Sequence, residues 1–228
     1  MQENIFTSRD ELNDAFAAKI VAILGQGIEQ NGRASLLVSG GSTPLPLFQR
    51  LSQAELAWDK VDVSLVDERW VEGSDSASNT KLVKENLLQA NAAAATFVEM
   101  KTAQANAEDA VETCTERFNA MQNPFDVLIL GMGEDGHTAS LFPCSEQIQA
   151  GLDLETDADF IAVQPTTAPH QRMSLTLKRI LDSKNTFLHL TGESKKAVLD
   201  KALAGDDAYE MPIRAVLKHA DVQLMWAP

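Results

Sequence analysis

Residues 125–138 read Phe-Asp-Val-Leu-Ile-Leu-Gly-Met-Gly-Glu-Asp-Gly-His-Thr (FDVLILGMGEDGHT), an apolar run that passes directly into a glycine-rich loop. The run 125–130 is the most apolar of the short hydrophobic segments in the chain. This is typical of a central strand in a parallel sheet, because both faces of such a strand are covered. The loop begins where the strand ends, at the sheet edge where open α/β proteins bind ligands. The segment therefore predicts a parallel α/β fold with a candidate site directly after its central strand.

Other short apolar runs alternate with amphipathic segments along the whole chain, which is the pattern of β–α units. The remaining predicted strands are 34–39, 61–66, 160–163, 186–190 and 222–226, with a weaker one at 96–99. The predicted helices are 8–30, 44–52, 79–90, 104–121, 174–182 and 194–204. No internal repeat and no Gly/Ser-rich or Pro-rich linker divides the sequence, so we expect one domain over 1–228.

The composition is that of a globular protein with a strongly acidic balance. Hydrophobic residues make up 44% and charged residues 23% of the 228 residues, and the formal net charge is -14. A field of this sign repels nucleic acid and anionic membranes, so we expect neither as a partner. An anionic substrate would need a few basic residues concentrated at one site. Cys114 and Cys144 are too few for a disulfide framework. No signal-peptide h-region or membrane span is visible, which predicts a cytoplasmic protein.

The loop SGGSTP at 39–44 is the first candidate binding segment. Gly40 and Gly41 allow a tight turn and a close approach of the backbone to a ligand. Ser42 or Thr43 could N-cap the next helix, and N–H groups at a helix N-terminus favour phosphate. The alternative is an ordinary capped turn between a strand and a helix.

The loop 131–138 carries the candidate for acid–base chemistry, because His137 follows three glycines and Asp135 lies two residues before it. A neutral imidazole held by a carboxylate is the commonest general base near neutral pH. The same loop matches the G-x-G-x-x-G dinucleotide fingerprint. Pro143, however, interrupts any helix that starts near His137, which disfavours a nucleotide site.

Charged residues follow other predicted strands. Asp67 and Arg69, in the segment DERW, could bind sugar hydroxyls or an anion, or could form only a surface ion pair. Arg172 precedes a predicted helix and could be an ordinary surface residue. Lys195 and Lys196 lie at the start of another helix, where a lysine opposes the helix dipole unless an anion is shared. Lys195 is the preferred candidate of the two.

The other three histidines carry weaker signals. His189 lies within a predicted strand and is expected to be a core or sheet histidine. His219 lies near a predicted exposed helix end, and His170 lies in the loop just before Arg172.

Five segments occur in the order seen in one known family: VSGGSTPLPLF, VDERWV with SNTKLVKENLL, FDVLILGMGEDGHTASLFP, RMSLTLKRIL and GESKKAVL. Over nearly its whole length the chain resembles the 6-phosphogluconolactonases. The resemblance implies hydrolysis of 6-phospho-D-glucono-1,5-lactone to 6-phosphogluconate, a step of the oxidative pentose phosphate pathway. It also implies a single-domain, Rossmann-like three-layer α/β sandwich with a mostly parallel sheet. No bound nucleotide, other cofactor or metal is expected.

The resemblance also implies roles for the candidate residues. His137 would act as the general base on water, Asp135 would orient it, and Arg69 would bind the lactone oxygens or the developing oxyanion. The expected substrate-binding residues are Asp67 for sugar hydroxyls and Gly40, Gly41, Ser42, Arg172 and Lys195 for the phosphate. The expected partner is a small sugar-phosphate lactone, and a transient contact with glucose-6-phosphate dehydrogenase is a further suggestion.

Three alternatives stay open. A deaminase or isomerase of amino-sugar phosphates on the same scaffold would use Asp67 as a base at C2. In those enzymes the histidine is typically followed by IAFNEP, whereas 138–143 here reads TASLFP and lacks the glutamate. A non-catalytic sugar-phosphate sensor is disfavoured because no helix-turn-helix or basic segment is evident. A nucleotide-dependent oxidoreductase would rest on GMGEDG alone.

Overall fold

The structure, a computed structural model, describes all residues from 1 to 228. The strands are β1 (Gln2–Ile5), β2 (Ala34–Val38), β3 (Val61–Leu65), β4 (Asp67–Arg69), β5 (Thr96–Phe97), β6 (Val127–Leu130), β7 (Phe160–Val163), β8 (Arg172–Leu175), β9 (Thr186–Thr191) and β10 (Val222–Ala227). The α-helices are α1 (Arg9–Asn31), α2 (Leu45–Gln53), α3 (Asn79–Asn86), α4 (Val111–Asn119), α5 (Ile148–Leu152), α6 (Leu177–Leu181), α7 (Glu193–Leu203) and α8 (Ile213–His219). Short 3₁₀ turns occupy Trp58–Lys60, Ala90–Ala94 and Glu108–Ala110.

Seven strands form one sheet in the order β1-β10-β9-β6-β2-β3-β5, and every neighbouring pair is parallel. Strand β6 lies at the middle of this sheet, and all four of its residues are buried. Strands β2 and β3 are also buried along their whole length. The prediction of a central strand from the run 125–130 is therefore confirmed.

Helices cover both faces of the large sheet. The chain crosses the sheet in one direction from β1 to β2 and β3, and in the opposite direction from β9 to β10. Right-handed crossovers therefore place α1 and α2 on one face and α7 and α8 on the other. One cluster of 53 buried residues forms the core, and each large apolar side chain within it contributes about 1.5–3 kcal/mol. The mixed α/β fold with a mostly parallel sheet is confirmed.

The first helix shows how local sequence sets an element and its packed face. The Ser8 side chain accepts a hydrogen bond from the Glu11 backbone N–H and so caps the helix N-terminus. Gly32 ends the helix in the left-handed region at φ 77°, which glycine adopts without steric strain. Phe16 and Ile20 are among the residues that pack against the sheet. None of the helices is both long and apolar enough to cross a membrane.

A second sheet contradicts two predictions made from local pattern. Strands β4, β8 and β7 pair antiparallel in that order, so Asp67–Arg69 is a strand rather than a loop. Arg172–Leu175 is also a strand, and the predicted helix 174–182 begins only at Leu177. All four residues of β8 are buried. Their backbone groups need hydrogen-bond partners, which β4 and β7 supply, so tertiary pairing overrides the local helical spacing.

The other differences concern element bounds and short elements. The predicted helix 104–121 is a 3₁₀ turn followed by α4, and the predicted helix 79–90 ends at Asn86. The sequence did not predict β1 or α5, and of α8 it indicated only the end near His219. Strand β1 lies at the sheet edge and α5 has only five residues, so neither has a strong periodic signal.

Candidate active site

A cleft of about 280 Å³ opens at the carboxyl ends of β2, β6 and β9. This is the edge at which open parallel sheets bind their ligands. The lining includes eight of the nine residues predicted for the site, namely Gly40, Gly41, Ser42, Asp67, Arg69, His137, Arg172 and Lys195. The ninth, Asp135, is in contact with the His137 ring. Residues from two loops, two strands and one helix are thus brought to one place.

His137 and Asp135 form a hydrogen-bonded pair, with Nδ1 of the ring 2.5 Å from Oδ1 of the carboxylate. The same oxygen accepts the His137 backbone N–H at 3.1 Å. Partial burial alone would raise the pKa of Asp135, but its hydrogen bond to His137 and the nearby imidazole hold that pKa below the ordinary value. An ionised carboxylate only accepts hydrogen bonds, so Nδ1 of the neutral ring carries the hydrogen and Nε2 carries the lone pair.

Gly133 of the 131–138 loop leaves room for this pair. A Cβ on Gly133 would lie 2.1 Å from Nδ1 of His137, which is far inside van der Waals contact. The imidazole also stacks on the Phe142 ring, with centroids 4.1 Å apart. In the G-x-G-x-x-G pattern, Gly133 thus packs against the imidazole, and Gly136, at φ 75°, packs against Met211.

The loop 39–44 is held to the central strand by Ser39. Its hydroxyl donates to the Ile129 carbonyl at 3.0 Å and accepts the Gly131 N–H at 3.2 Å. A Cβ on Gly40 would lie 2.0 Å from Asn79 Oδ1, so the loop approaches α3 as closely as only glycine permits. The prediction that Ser42 or Thr43 caps α2 is wrong, because the N-cap position is Pro44 and no side chain caps this helix. The two hydroxyls are therefore not used in capping.

Arg69 and Arg172 are directly opposite each other on the antiparallel strands β4 and β8. Neither guanidinium lies within ion-pair distance of a carboxylate, and Nε of each is buried without a hydrogen-bond partner. Arg69 donates to the Ala77 carbonyl at 2.7 Å, and Arg172 lies 5.5 Å from the Phe142 ring centroid. Burial lowers the pKa of Arg172, Asp67 acts in the opposite direction, and Arg69 lowers it further. Two cations are thus held side by side without a neutralising partner.

The two acids of the DERW segment have different environments. Asp67 lines the cleft, and its Oδ2 accepts the Ser140 hydroxyl at 2.6 Å. Glu68 is fully buried away from the cleft, and its carboxylate accepts the backbone N–H groups of Asn79 and Thr80, each at 2.7 Å. Burial raises the pKa of Glu68, while these hydrogen bonds act in the opposite direction. Glu68 therefore fixes the start of α3, and Asp67 alone is available to a ligand.

The two adjacent lysines of α7 point to different places. Lys195 lines the cleft, where its Nζ donates to the Met132 carbonyl at 3.0 Å and pairs with Glu134 at 2.7 Å. Lys196 pairs with Asp200 one turn along the same helix and does not line the cleft. Of the two lysines, Lys195 is therefore the one that lines the cleft.

Two residues of the cleft were not predicted from the sequence. Asn79 donates from Nδ2 to the Asp67 carbonyl at 3.0 Å, while its Oδ1 has no hydrogen-bond partner. The Ser-Asn pair at the start of a predicted helix is the only local signal that could have indicated it. His189 is buried in β9 as predicted, yet it also lines the cleft, and neither ring nitrogen has a partner. Burial lowers the pKa of His189 to about 4, so its imidazole is neutral at pH 7.

The fold and the cleft together define an α/β enzyme with an imidazole–carboxylate pair and a group of cations at the carboxyl edge of its sheet. Comparison with known proteins narrows this class. The family model described as glucosamine-6-phosphate isomerases/6-phosphogluconolactonase matches residues 7–226. The chain belongs to this family, which confirms the resemblance seen in the five sequence segments.

The similar proteins include several with the same name. A 6-phosphogluconolactonase of Rhizobium meliloti (strain 1021) is 42% identical over 227 residues, which cover 99% of this chain and 98% of that protein. The crystal structure of a 6-phosphogluconolactonase from Shewanella baltica OS155 superposes with a TM-score of 0.97 at 43% identity, covering 100% of this chain and 98% of the other. A monomeric glucosamine-6-phosphate deaminase has a TM-score of 0.80 at 18% identity over 100% of this chain and 97% of the other, which shows a shared fold alone.

Proposed function

We propose that the chain is a lactone hydrolase that converts 6-phospho-D-glucono-1,5-lactone to 6-phospho-D-gluconate, with 1–228 as one lactonase domain. The observation that carries this proposal is that the buried guanidinium of Arg172 has no carboxylate partner. Three arginines are buried to the same extent, and Arg179 and Arg214 are both paired with carboxylates. Arg172 alone has none, and it lies in the cleft with His137. An unpaired buried cation beside a general base fits an anionic substrate.

The chemistry requires a base, a positioned water and stabilisation of the carbonyl oxygen, because an aldonolactone is an activated ester. His137 Nε2 removes a proton from water as the water oxygen attacks C1 of the lactone. The C1–ring-oxygen bond then breaks, and the imidazolium returns that proton to the departing oxygen. Asp135 holds the tautomer and stabilises the imidazolium. Such general acid–base catalysis contributes roughly 10²–10⁴ in rate.

The remaining residues bind and polarise the substrate. Arg69 stabilises the oxyanion that develops at C1, and Asp67 accepts hydrogen bonds from the sugar hydroxyls. The phosphate is bound by Arg172, Lys195 and the loop of Gly40, Gly41 and Ser42. The Met132 carbonyl holds the Lys195 ammonium at the cleft.

A deaminase on the same scaffold fits the cleft less well. It would need Asp67 as a base at C2 and a glutamate after the histidine. The segment 138–143 reads TASLFP and lacks this glutamate. Its absence favours the lactonase.

The test is an assay with freshly generated 6-phosphogluconolactone, coupled to detection of 6-phosphogluconate and corrected for spontaneous hydrolysis. We expect His137→Asn to lower kcat by about 10²–10⁴ while the far-UV circular dichroism stays unchanged. The matched control is His219→Asn, since His219 ends α8 and is exposed. Near-wild-type turnover by a folded His137→Asn protein would overturn the mechanism, and no activity of the wild type would overturn the function. A cytoplasmic location and the contact with glucose-6-phosphate dehydrogenase stay predictions.

A further inference from the structure

Phe142 is the one buried phenylalanine of the chain that lies outside the hydrophobic core. Its side chain is 4% exposed, yet it does not belong to the cluster of 53 residues, which includes every other buried phenylalanine and tryptophan. It does not line the active-site cleft either. The packing of Phe142 therefore has to be explained by the groups that surround the cleft.

Two polar groups of the cleft lie over the Phe142 ring. The imidazole of His137 stacks on it with the centroids 4.1 Å apart and an angle of 29° between the planes. The guanidinium carbon of Arg172 lies 5.5 Å from the centroid of the same ring, which is within the range of a cation–π contact. One aromatic ring thus contacts both the proposed general base and a proposed phosphate ligand.

A tight turn brings Phe142 against the imidazole. Thr138 and Leu141 form an antiparallel bridge, in which the Leu141 N–H donates to the Thr138 carbonyl at 3.0 Å. His137 and Phe142 are the two residues that flank this turn, so they come to lie opposite each other. The Thr138 hydroxyl also donates to the Gly131 carbonyl at 2.8 Å, which ties the turn to the end of the central strand.

The ring contacts the guanidinium of Arg172 without neutralising it. The side chain of Arg172 has one hydrogen bond, from Nη2 to the Pro169 carbonyl at 3.4 Å, and no carboxylate partner. The face of an aromatic ring attracts a cation, but the ring has no net charge and cannot displace a phosphate oxygen. A carboxylate in the same place would compete with an anionic ligand. Phe142 therefore leaves the charge of Arg172 available.

The same property suits the proposed base. The imidazole of His137 becomes an imidazolium during the reaction, and a cation over a ring face is stabilised by that ring. Asp135 binds Nδ1 of the imidazole, while the stack on Phe142 restricts the tilt of its plane. A functional group held by two such contacts loses most of its rotational freedom before the substrate binds.

We infer that Phe142 is a positioning residue that holds the imidazole of His137 and the guanidinium of Arg172 through the face of its ring. The kinetic consequences of this role rest on the proposed function, whereas the stack itself can be measured without catalysis.

The kinetic test compares kcat/KM for 6-phosphogluconolactone and unphosphorylated gluconolactone in Phe142→Leu, which removes the ring but keeps an apolar side chain. We expect a loss of about 3- to 30-fold on the unphosphorylated lactone, because the imidazole is less well held, and a further loss of about 2- to 10-fold on the phosphorylated one. In the Arg172→Met background, Phe142→Leu should cause the same loss on both lactones. Phe142→Tyr keeps the ring and should stay within about 3-fold of the wild type.

The matched control is Phe97→Leu. This half-buried ring also lies near a cation, with Lys84 Nζ 5.7 Å from its centroid, but it does not line or adjoin the cleft, so both activities should stay unchanged. Proton NMR gives a readout that needs no turnover. The imidazole protons of His137, assigned by comparison with His137→Asn, should be shifted upfield by the ring current of Phe142 in the wild type and should move downfield in Phe142→Leu.

Wild-type kcat/KM on both lactones in a folded Phe142→Leu protein would overturn the inference, as would a Phe142→Tyr protein that is as impaired as Phe142→Leu. An equal loss on both lactones with Arg172 present would overturn the role towards Arg172, and a comparable loss in Phe97→Leu would show a general effect of lost packing. Imidazole protons without an upfield shift in the wild type would overturn the stack, whether or not Phe142→Leu folds. A wild type without lactonase activity would overturn the proposed function, and the imidazole shift would then decide the stack on its own.

Discussion

Replacement of Arg172 by methionine separates binding of the phosphate from binding of the lactone. Methionine keeps an unbranched apolar stem against Phe142 but removes the guanidinium. The change also removes an unpaired buried cation that lies opposite Arg69, so the folded protein should be no less stable than the wild type. A loss of activity would then reflect lost contact with substrate rather than lost structure.

The expected size of the effect follows from the burial of this guanidinium. A hydrogen bond to a charged group contributes about 1.5–3 kcal/mol, which is about 10- to 150-fold in an equilibrium constant. Burial already lowers the pKa of Arg172, so much of its desolvation is complete before substrate binds. We therefore expect the KM for the phosphorylated lactone to rise by about 10- to 150-fold, with a much smaller change in kcat.

The assay compares kcat/KM for 6-phosphogluconolactone and for unphosphorylated gluconolactone, in the wild type and in Arg172→Met. The unphosphorylated substrate has no phosphate contact to lose, so its kcat/KM should change by less than about 3-fold. Urea unfolding of both proteins provides the stability control. An equal loss on both lactones would show that Arg172 serves the lactone ring, and the phosphate assignment would have to be abandoned.

Three further predictions use other contacts of the cleft. Glu134→Gln removes the carboxylate that pairs with Lys195. In the same assay it should lower the KM for the phosphorylated lactone by about 2- to 5-fold. An increase in KM would contradict the pairing argument. Asp135→Asn should lower kcat at least about 10²-fold. An amide can donate to Nδ1 as well as accept from it, so it no longer fixes the His137 tautomer that carries its hydrogen on Nδ1. An unchanged kcat would exclude the orienting role. The pKa of His189 is about 4 in the folded protein against 6.5 for the free side chain, so its contribution to stability is complete above pH 6.5 and is lost as the pH falls towards 4. Between pH 7 and 4.5 the wild type should therefore lose about 2–3 kcal/mol more than His189→Leu in urea unfolding, and parallel losses would refute this.

The centre of the fold and the histidine loop that follows it could be predicted because their signals are local. The strand at 125–130 is a continuous apolar run, and the His137 loop follows it directly, so one short segment specifies both. Asp135 and His137 are also only two residues apart in the sequence. Such features need no knowledge of distant partners.

The pairing of Arg69 with Arg172 could not be predicted, because it depends on two strands about a hundred residues apart in sequence. The local pattern predicts a helix over 174–182, and only the partners β4 and β7 make Arg172–Leu175 a strand. Glu68 and Asp67 are adjacent in the sequence, so the sequence does not distinguish their roles. The folded chain does, because the first N–H groups of α3 bind the Glu68 carboxylate and leave Asp67 to Ser140 and the cleft. Long-range pairing, rather than residue type, decides which of these groups reaches the cleft.

The same pairing explains how a chain of charge -14 can select an anionic substrate. Fields of exposed charges are screened over about 8 Å at physiological ionic strength, so capture depends on the cations that lie nearest the ligand. Many of the other basic side chains are already neutralised by carboxylates, as in Arg33, Arg50, Lys84, Arg179, Lys184, Lys196 and Arg214. In the cleft, Arg69 and Arg172 are left without such partners, and Lys195 has one that is exposed. Under the proposed function, these cations attract the phosphate of the substrate into the cleft beside His137.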